Sequence, residues 1–140
     1  MEITAVAEQE VLAGENVNFT ETPICGNCSI IHRTGSGLVK LRGLANCQSR
    51  ARFRVLFNGN IALPATGTVG PISLSVSIDG EPIDSTKMIV TPAATEAYGN
   101  ISGSIYLDVP TGCCATIGVT NTSGVSILVQ NANLIVERVA

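Results

Sequence analysis

The sequence predicts an antiparallel all-β protein, and three observations support this prediction. Residues 72–78 and 101–109 alternate apolar and polar side chains, a period of two that places one face in a core and the other in water. Turn-forming residues, namely Asp79-Gly80, Pro110-Thr111-Gly112 and 121–124, end these runs at short intervals. No helical period competes with the alternation, so the second half of the chain is predicted as short strands joined by turns.

The first part of the chain is predicted to contribute strands of the same kind. Residues 1–13 form an acidic, mildly alternating segment, and residues 17–20 are predicted as the first core strand. Residues 30–33 and 38–42 are predicted to pair as a hairpin, with residues 34–37 as the turn between them. Each of these segments is short and rich in β-branched or aromatic residues, which favours strands.

The remaining elements complete a sandwich. Residues 53–57 alternate and precede Asn58-Gly59, a dipeptide typical of hairpin turns. Residues 61–64 lead into the second half, and the apolar positions of 125–129 and 134–136 close the chain. The count of about nine or ten strands is typical of a jelly-roll sandwich.

Length and composition predict one domain. The chain has 140 residues, of which 45% are hydrophobic but only 4% aromatic, so the core is expected to consist of Val, Ile, Leu and Ala. Charged residues make up only 14%, which indicates either a surface covered by neighbouring subunits or a surface rich in Ser, Thr and Asn. We predict that residues 1–14 form an N-terminal arm or edge strand and that residues 15–140 form the single jelly-roll domain.

Several functional classes are disfavoured. The start of the chain is acidic and lacks the features of a secretory leader, and its apolar runs are far shorter than the ~20 residues of a membrane span. We therefore expect synthesis in a cytoplasm and no membrane partner. A net charge of −3, a pI near 5.0 and few aromatic residues disfavour nucleic-acid binding.

Five cysteines leave three interpretations open. Cys25 and Cys28 have the spacing of a zinc knuckle, and Cys47 would be the third ligand of a structural zinc site, which is the one cofactor that the sequence suggests. A disulfide from Cys25 or Cys28 to Cys47 is the second interpretation. The third and simplest interpretation is that the cysteines act as small buried hydrophobic residues with free thiols. A redox role is disfavoured, because a CxxC between strands lacks the helix that would stabilise a thiolate.

The single histidine argues against catalysis. A general base needs a nucleophile or an orienting acid nearby, and no acid occurs between Glu21 and Asp79. We expect His32 to satisfy a hydrogen bond at a strand surface, and we expect no enzyme. A cupin-type enzyme would need a cluster of metal-binding histidines, which one histidine cannot supply.

Basic residues are concentrated in one acid-free window of the sequence. Six of the eight form a candidate contact for a partner or capsid: Arg33, Lys40, Arg42, Arg50, Arg52 and Arg54. The alternative is that this segment is neutralised, within or between subunits, by the glutamates that precede it. The sequence does not choose between the two.

The second half of the chain also resembles a known family. Its most specific piece is Asn121-Thr122-Ser123-Gly124 followed by residues 129–134, Val-Gln-Asn-Ala-Asn-Leu. This half resembles a bacterial and phage jelly-roll family related to tumour necrosis factor, to complement-type globular heads and to the head domain of collagen-like spore-surface glycoproteins. The front half, with its Cys-x-x-Cys and His-Arg-x-Gly-Ser-Gly elements, resembles proteins of Firmicutes phages and prophages.

The resemblance implies a trimeric, non-enzymatic structural protein of a bacteriophage virion. The expected role is capsid decoration or the head of a short fibre on the capsid surface, with the major capsid protein or another virion protein as partner. The resemblance places the C-terminal strand near the threefold axis, so Leu134 and Val136 are predicted to line it. The alternative is a receptor- or carbohydrate-binding head on a phage or spore surface, although only Tyr98 and Tyr106 offer tyrosine rings for stacking.

Overall fold

The computed structural model describes residues 1–44 and 49–140, which form two antiparallel β-sheets. Sheet A contains β1 (Glu2–Ala5), β2 (Gln9–Val11), β3 (Glu21–Ile24), β6 (Arg50–Ala62), β10 (Gly99–Pro110) and β12 (Ile127–Arg138). Sheet B contains β4 (Ile30–His32), β5 (Val39–Arg42), β7 (Ile72–Ile78), β8 (Glu81–Pro82), β9 (Met88–Val90) and β11 (Cys114–Asn121). A 3₁₀ turn at Asp84–Thr86 connects β8 to β9. Within the described ranges, no helix has the length and apolar character needed to cross a membrane.

The strand order joins distant parts of the chain. Sheet A has the order β10-β6-β12-β1-β3, and β2 also pairs with β12. Sheet B has the order β4-β5-β11-β7-β8, and β9 pairs with β7. The chain therefore crosses repeatedly from one sheet to the other, and most strand neighbours in the sheets are not neighbours in the sequence.

The core consists of the inward-facing residues of both sheets. Phe19, Phe53 and Phe57 are fully buried there, and the rings of Phe19 and Phe57 meet edge to face with centroids 6.5 Å apart. Burial of one such side chain contributes about 1.5–3 kcal/mol. Aliphatic residues supply most of the remaining core, as the composition predicted. The all-β prediction is confirmed.

The dipeptide Asn58-Gly59 is not a hairpin turn, and that prediction was wrong. Both residues lie inside β6, which runs for 13 residues through sheet A. A Cβ atom on Gly59 would lie 3.3 Å from the ring of Phe57 and 3.5 Å from the Cα of Ala132. The neighbouring strand β12 has a register shift here, with Asn131 at a φ of 55°. Gly59 therefore lies against the Phe57 ring and, at an ordinary contact distance, against β12 inside the sheet, and it does not form a turn.

The N-terminal segment is part of sheet A. β1 lies between β12 and β3, so it is not an edge strand, and Ile3 and Ala5 on it are buried in the core. Residues 17–20 form no regular strand, although Val17 and Phe19 are fully buried. The N–H of Val17 donates to the carbonyl of Val119, which attaches this segment to sheet B.

Two predicted local features are confirmed. Asp79 and Gly80 have φ values of 49° and 88° and connect β7 to β8 as a tight turn. The Asp79 side chain accepts a hydrogen bond from the N–H of Thr116 at 2.9 Å, which fastens the turn to β11. The predicted hairpin in the first half is also present, because β4 and β5 pair in antiparallel register.

Candidate functional site

The outer face of sheet A has an apolar patch beside its β10 edge. Tyr106 on β10 is paired in register with Arg54 on β6, and in the next row Leu56 on β6 is paired with Ile135 on β12. Tyr106 is 63% exposed, and Leu56 and Ile135 are partly exposed. These residues point outward because their neighbours along each strand point into the core. Water therefore contacts an aromatic and aliphatic patch that extends from the edge strand β10 over β6 to β12.

Paired charges flank this patch at one end. Arg52 donates from Nε and Nη2 to the two oxygens of Asp108 at 2.8 and 3.0 Å, and Arg50 Nε donates to the same carboxylate at 2.9 Å. Arg54 lies 3.4 Å from the carboxylate of Glu137. The hydrogen bond from Arg52, assisted by Arg50, lowers the pKa of Asp108 to about 2, and the same bond raises the pKa of Arg52. Opposite charges on this face are thus matched within the chain.

Amide side chains extend along the same face. Asn100 Nδ2 donates to Asn60 Oδ1 at 3.1 Å, and Asn60 Nδ2 donates to Asn131 Oδ1 at 3.2 Å. Asn133 Nδ2 donates to Glu2 Oε2 at 2.9 Å. The Oδ1 atom of Asn133 is buried and has no hydrogen-bond partner among the described residues. A buried acceptor of this kind normally has a partner in the native assembly or in ordered water.

A second tyrosine holds two loops together. The hydroxyl of Tyr98, just before β10, donates to Glu8 Oε2 between β1 and β2 at 2.5 Å. Partial burial, followed by the hydrogen bond and the nearby charge of Glu8, raises the pKa of Tyr98 to about 12. Tyr98 therefore has a structural contact, whereas the ring of Tyr106 is free of such a contact among the described residues.

The outer face of sheet B contrasts with this arrangement, because small hydroxyl side chains line it. Ser73 and Ser75 are 4% and 1% exposed, and Ser73 Oγ lies 2.7 Å from Thr122 Oγ1. The side chain of Asn121 accepts hydrogen bonds from the N–H and hydroxyl of Ser123, which fixes the turn after β11. The hydroxyl-bearing residues Ser73, Thr122 and Ser123 form the floor of a groove.

The walls of the groove combine apolar and cationic groups. Pro71 and Ile89 lie on its sides, and Ile89 is 60% exposed. The side chain of Lys87 also lines the groove, whose volume is about 240 Å³. Within the part of the chain that the structure describes, no carboxylate forms an ion pair with Lys87.

The cysteines do not behave as the simplest interpretation predicted. Cys25, Cys28, Cys113 and Cys114 are free thiols and are exposed, so they are not buried hydrophobic residues. Cys47, the third predicted zinc ligand and the predicted disulfide partner, lies outside the described residues. Among residues 1–44 and 49–140, no three His, Cys, Asp or Glu side chains are grouped so that they could hold a metal ion. The zinc site with Cys25, Cys28 and Cys47 stays a prediction.

His32 makes the predicted contact. Its Nε2 atom lies 2.9 Å from the carbonyl oxygen of Ser36, so the ring fastens the β4–β5 turn. The ring also meets Phe19 edge to face at 6.4 Å. Its Nδ1 atom is buried without a hydrogen-bond partner in the described ranges. These contacts give His32 a structural role.

The six basic residues of the predicted partner contact are divided between the sheets. Arg50, Arg52 and Arg54 lie on β6 in sheet A, where their described partners are Asp108 and Glu137. The other three, Arg33, Lys40 and Arg42, lie on or just after the strands β4 and β5 of sheet B. The six therefore do not form one face. Neutralisation within the chain occurs for the sheet A arginines, but through partners from the second half rather than the N-terminal glutamates.

The residues predicted to line a threefold axis need correction. Leu134 and Val136 are 1% and 0% exposed and pack into the core of a single chain. The outward positions on this part of β12 are Asn133, Ile135 and Glu137. Leu134 and Val136 were predicted to line the axis because they are apolar, but their side chains belong to the core. An axis at this strand stays a prediction, with Ile135 as the aliphatic side chain available to it.

Sequence reasoning missed the pairing of Asp108 with two arginines and the groove on sheet B. Asp108 and Arg52 are 56 residues apart and meet only because β10 and β6 pair. The one available signal was that both lie at outward positions of alternating strands. The groove joins segments from three elements and left no local pattern in the sequence.

Comparisons with known proteins support the fold. No protein-family model matches the chain, and no curated protein matches it by sequence. The globular domain of zebrafish complement 1qA is similar in structure, with a TM-score of 0.62 and 12% identity over 96% of this chain and 93% of that one. Murine APRIL is also similar, with a TM-score of 0.54 and 9% identity over 95% of this chain and 96% of that one. The fold is therefore a jelly roll of the C1q and tumour necrosis factor type, as predicted.

Proposed function

We propose that this chain is a non-enzymatic structural module of a bacteriophage virion that assembles as a homotrimer through the outer face of sheet A. The apolar patch beside the β10 edge of that face, formed by Tyr106, Leu56 and Ile135, carries the proposal. The centres of protein interfaces are enriched in tyrosine and depleted of unpaired charge. Burial of this patch by a neighbouring subunit would remove apolar surface from water.

The occupant of the face is a second copy of the chain, because its charges are balanced. Arg50, Arg52 and Arg54 lie beside Asp108 and Glu137 on the same surface. A strongly acidic or basic partner would select one sign of charge, whereas a balanced face can pack against a different surface of the next copy around a threefold axis. Closed rotational symmetry is the usual way in which such faces are covered.

The virion assignment rests on the sequence resemblance to phage and prophage proteins. Within it, capsid decoration and the head of a short fibre are both compatible with a trimeric module, and the partner is the major capsid protein or another virion protein. Particles induced from the strain that encodes the chain test this part. The protein is expected in the purified particle fraction by mass spectrometry, and its absence from particles would contradict the virion role.

Light scattering of the purified protein tests the trimer. We expect a mass of three times 14.5 kDa, and we expect Tyr106→Glu to reduce it to the mass of one chain, because a charge would be buried at the interface. Ile31→Glu is the matched control, since Ile31 is 46% exposed on sheet B. A wild-type monomer, or a trimer that survives Tyr106→Glu, would contradict the proposed interface.

A receptor- or carbohydrate-binding head is the second candidate function. The groove on the outer face of sheet B favours it, because the groove combines hydroxyl groups, a lysine and an aliphatic wall. This face lies on the opposite side of the sandwich from the proposed trimer interface. Both candidates can therefore hold for the same protein.

A further inference from the structure

We propose that the groove on sheet B binds a saccharide unit that carries one carboxylate. The inference deepens the second candidate function by naming its ligand class, and it does not depend on the trimer. Three properties of the groove support it: an unpaired cation, a hydroxyl floor and an aliphatic wall.

Lys87 supplies the cation. Its side chain lines the groove, and no described carboxylate forms an ion pair with it. The carbonyl of Asp84 accepts the backbone N–H of Lys87, which fixes the residue at the end of the 3₁₀ turn while leaving the ammonium group unused. A carboxylate within reach would form charge-assisted hydrogen bonds with this group.

The floor supplies fixed hydroxyl groups. Ser73 Oγ lies 2.7 Å and Ser75 Oγ 3.4 Å from Thr122 Oγ1, so the three hydroxyls form a short hydrogen-bonded chain whose members can also donate to or accept from a ligand. The hydroxyl of Ser123 donates to Asn121 and retains lone pairs that can accept from a ligand. Ser73 is only 4% exposed, so its hydroxyl is held in place by surrounding atoms. A ring bearing several hydroxyl groups matches such a set of donors and acceptors.

The wall and the volume set the size of the ligand. Ile89 and Pro71 offer an aliphatic surface against which the C–H face of a sugar ring can pack. The volume of about 240 Å³ is below the roughly 300–1,000 Å³ of pockets for drug-sized ligands. One saccharide unit rather than an extended chain therefore fits the groove.

Titration of isotope-labelled protein with three small probes, followed by NMR of the backbone amides, tests the inference. Glucuronate carries both ring and carboxylate, glucose carries the ring alone, and acetate carries the carboxylate alone. We expect glucuronate to shift the amides of Ile89 and Ser123 in a saturable manner. We expect glucose and acetate each to bind about tenfold more weakly, because each lacks one part of the recognised group.

The two lysines of the chain provide the variant and its control. Lys87→Gln should weaken glucuronate binding about tenfold, the size expected for the loss of one charge-assisted hydrogen bond. Lys40→Gln should leave it unchanged, because Lys40 is exposed on β5 and does not line the groove. No saturable shift with glucuronate, equal binding of acetate or glucose, or an equal effect of both variants would overturn the proposal. None of these results bears on the trimer, which is judged from the mass.

Discussion

The outer faces of the two sheets differ in the side chains that they expose to water or leave without an ion pair. On sheet A the charges and amides for which the described residues show partners are matched within the chain, and the ring of Tyr106 is exposed to water. On sheet B the hydroxyls of Ser73 and Thr122 are fixed, and Lys87 lines the groove and forms no ion pair with a described carboxylate. The first combination suits a large apolar contact, and the second suits a small polar ligand.

The same alternation of inward and outward residues therefore supports two outer faces of different chemical character. Both sheets alternate inward and outward residues and contribute to the same core. The outward residues are not constrained by that core, so each face can be specialised independently. The proposed functions therefore rely mainly on residues that the packing of the core does not constrain.

Removal of a core ring should have the largest effect. Phe57→Ala is expected to lower the free energy of unfolding by about 3–5 kcal/mol, because Phe57 is fully buried between the sheets and packs against Phe19. Ile89→Ala, at a side chain 60% exposed on sheet B, should cost less than about 0.5 kcal/mol. Urea unfolding measures both, and similar losses would contradict the division between core and outer face.

The acid dependence of stability should reveal the pairing on sheet A. Because the folded-state pKa of Asp108 is lowered from 3.8 to about 2, its pairing stabilises the fold above pH 3.8. That stabilisation is lost as the pH falls towards about 2. Asp108→Asn should remove this part of the pH dependence in urea unfolding at a series of pH values.

Arg52 provides the internal check on this prediction. Arg52→Gln should reproduce most of the effect of Asp108→Asn, since its hydrogen bond is the largest cause of the lowered pKa. The double variant should add little to either single change, because both remove one shared interaction. Fully additive effects would contradict the pairing.

The smallest expected effect concerns the tyrosine that joins two loops. The chain has only two tyrosines, so Tyr106→Phe leaves Tyr98 as the one phenol that ultraviolet absorbance can titrate. We expect a midpoint near the pKa of about 12, instead of the ordinary 10.0. The raised pKa means that the stabilisation is present below pH 10 and is lost as the pH rises towards about 12. A midpoint near 10 would show that the contact with Glu8 is absent.

Local patterns predicted much of the fold. The alternation in residues 72–78 predicted a strand and the dipeptide Asp79-Gly80 predicted its turn, and both are confirmed. The polar side of this strand was predicted to face water, but Ser73, Ser75 and Ser77 are buried. Asn58-Gly59 carries the same type of turn signal, yet it lies inside β6. The reason is tertiary: this segment pairs with β10 on one side and β12 on the other, which the local sequence does not show.

The candidate sites were harder to predict, because they depend on pairing between distant strands. Leu134 and Val136 were assigned outward for their apolar character, although Ile135 between them is the outward residue. A shift of one residue reverses the face of every side chain on a strand. The arginines of β6 likewise acquired Asp108 as a partner only through the pairing with β10.

Fluorescence quenching of Tyr106 tests the central claim, that the outer face of sheet A is covered by neighbouring copies, most directly. In the Tyr98→Phe protein, Tyr106 is the one tyrosine that emits, because the chain has two tyrosines and no tryptophan. Acrylamide should quench this emission several-fold less in the trimer than in the diluted monomer, since the ring is 63% exposed in a single chain. Equal quenching in a sample whose mass is that of a trimer would show that the subunits meet elsewhere.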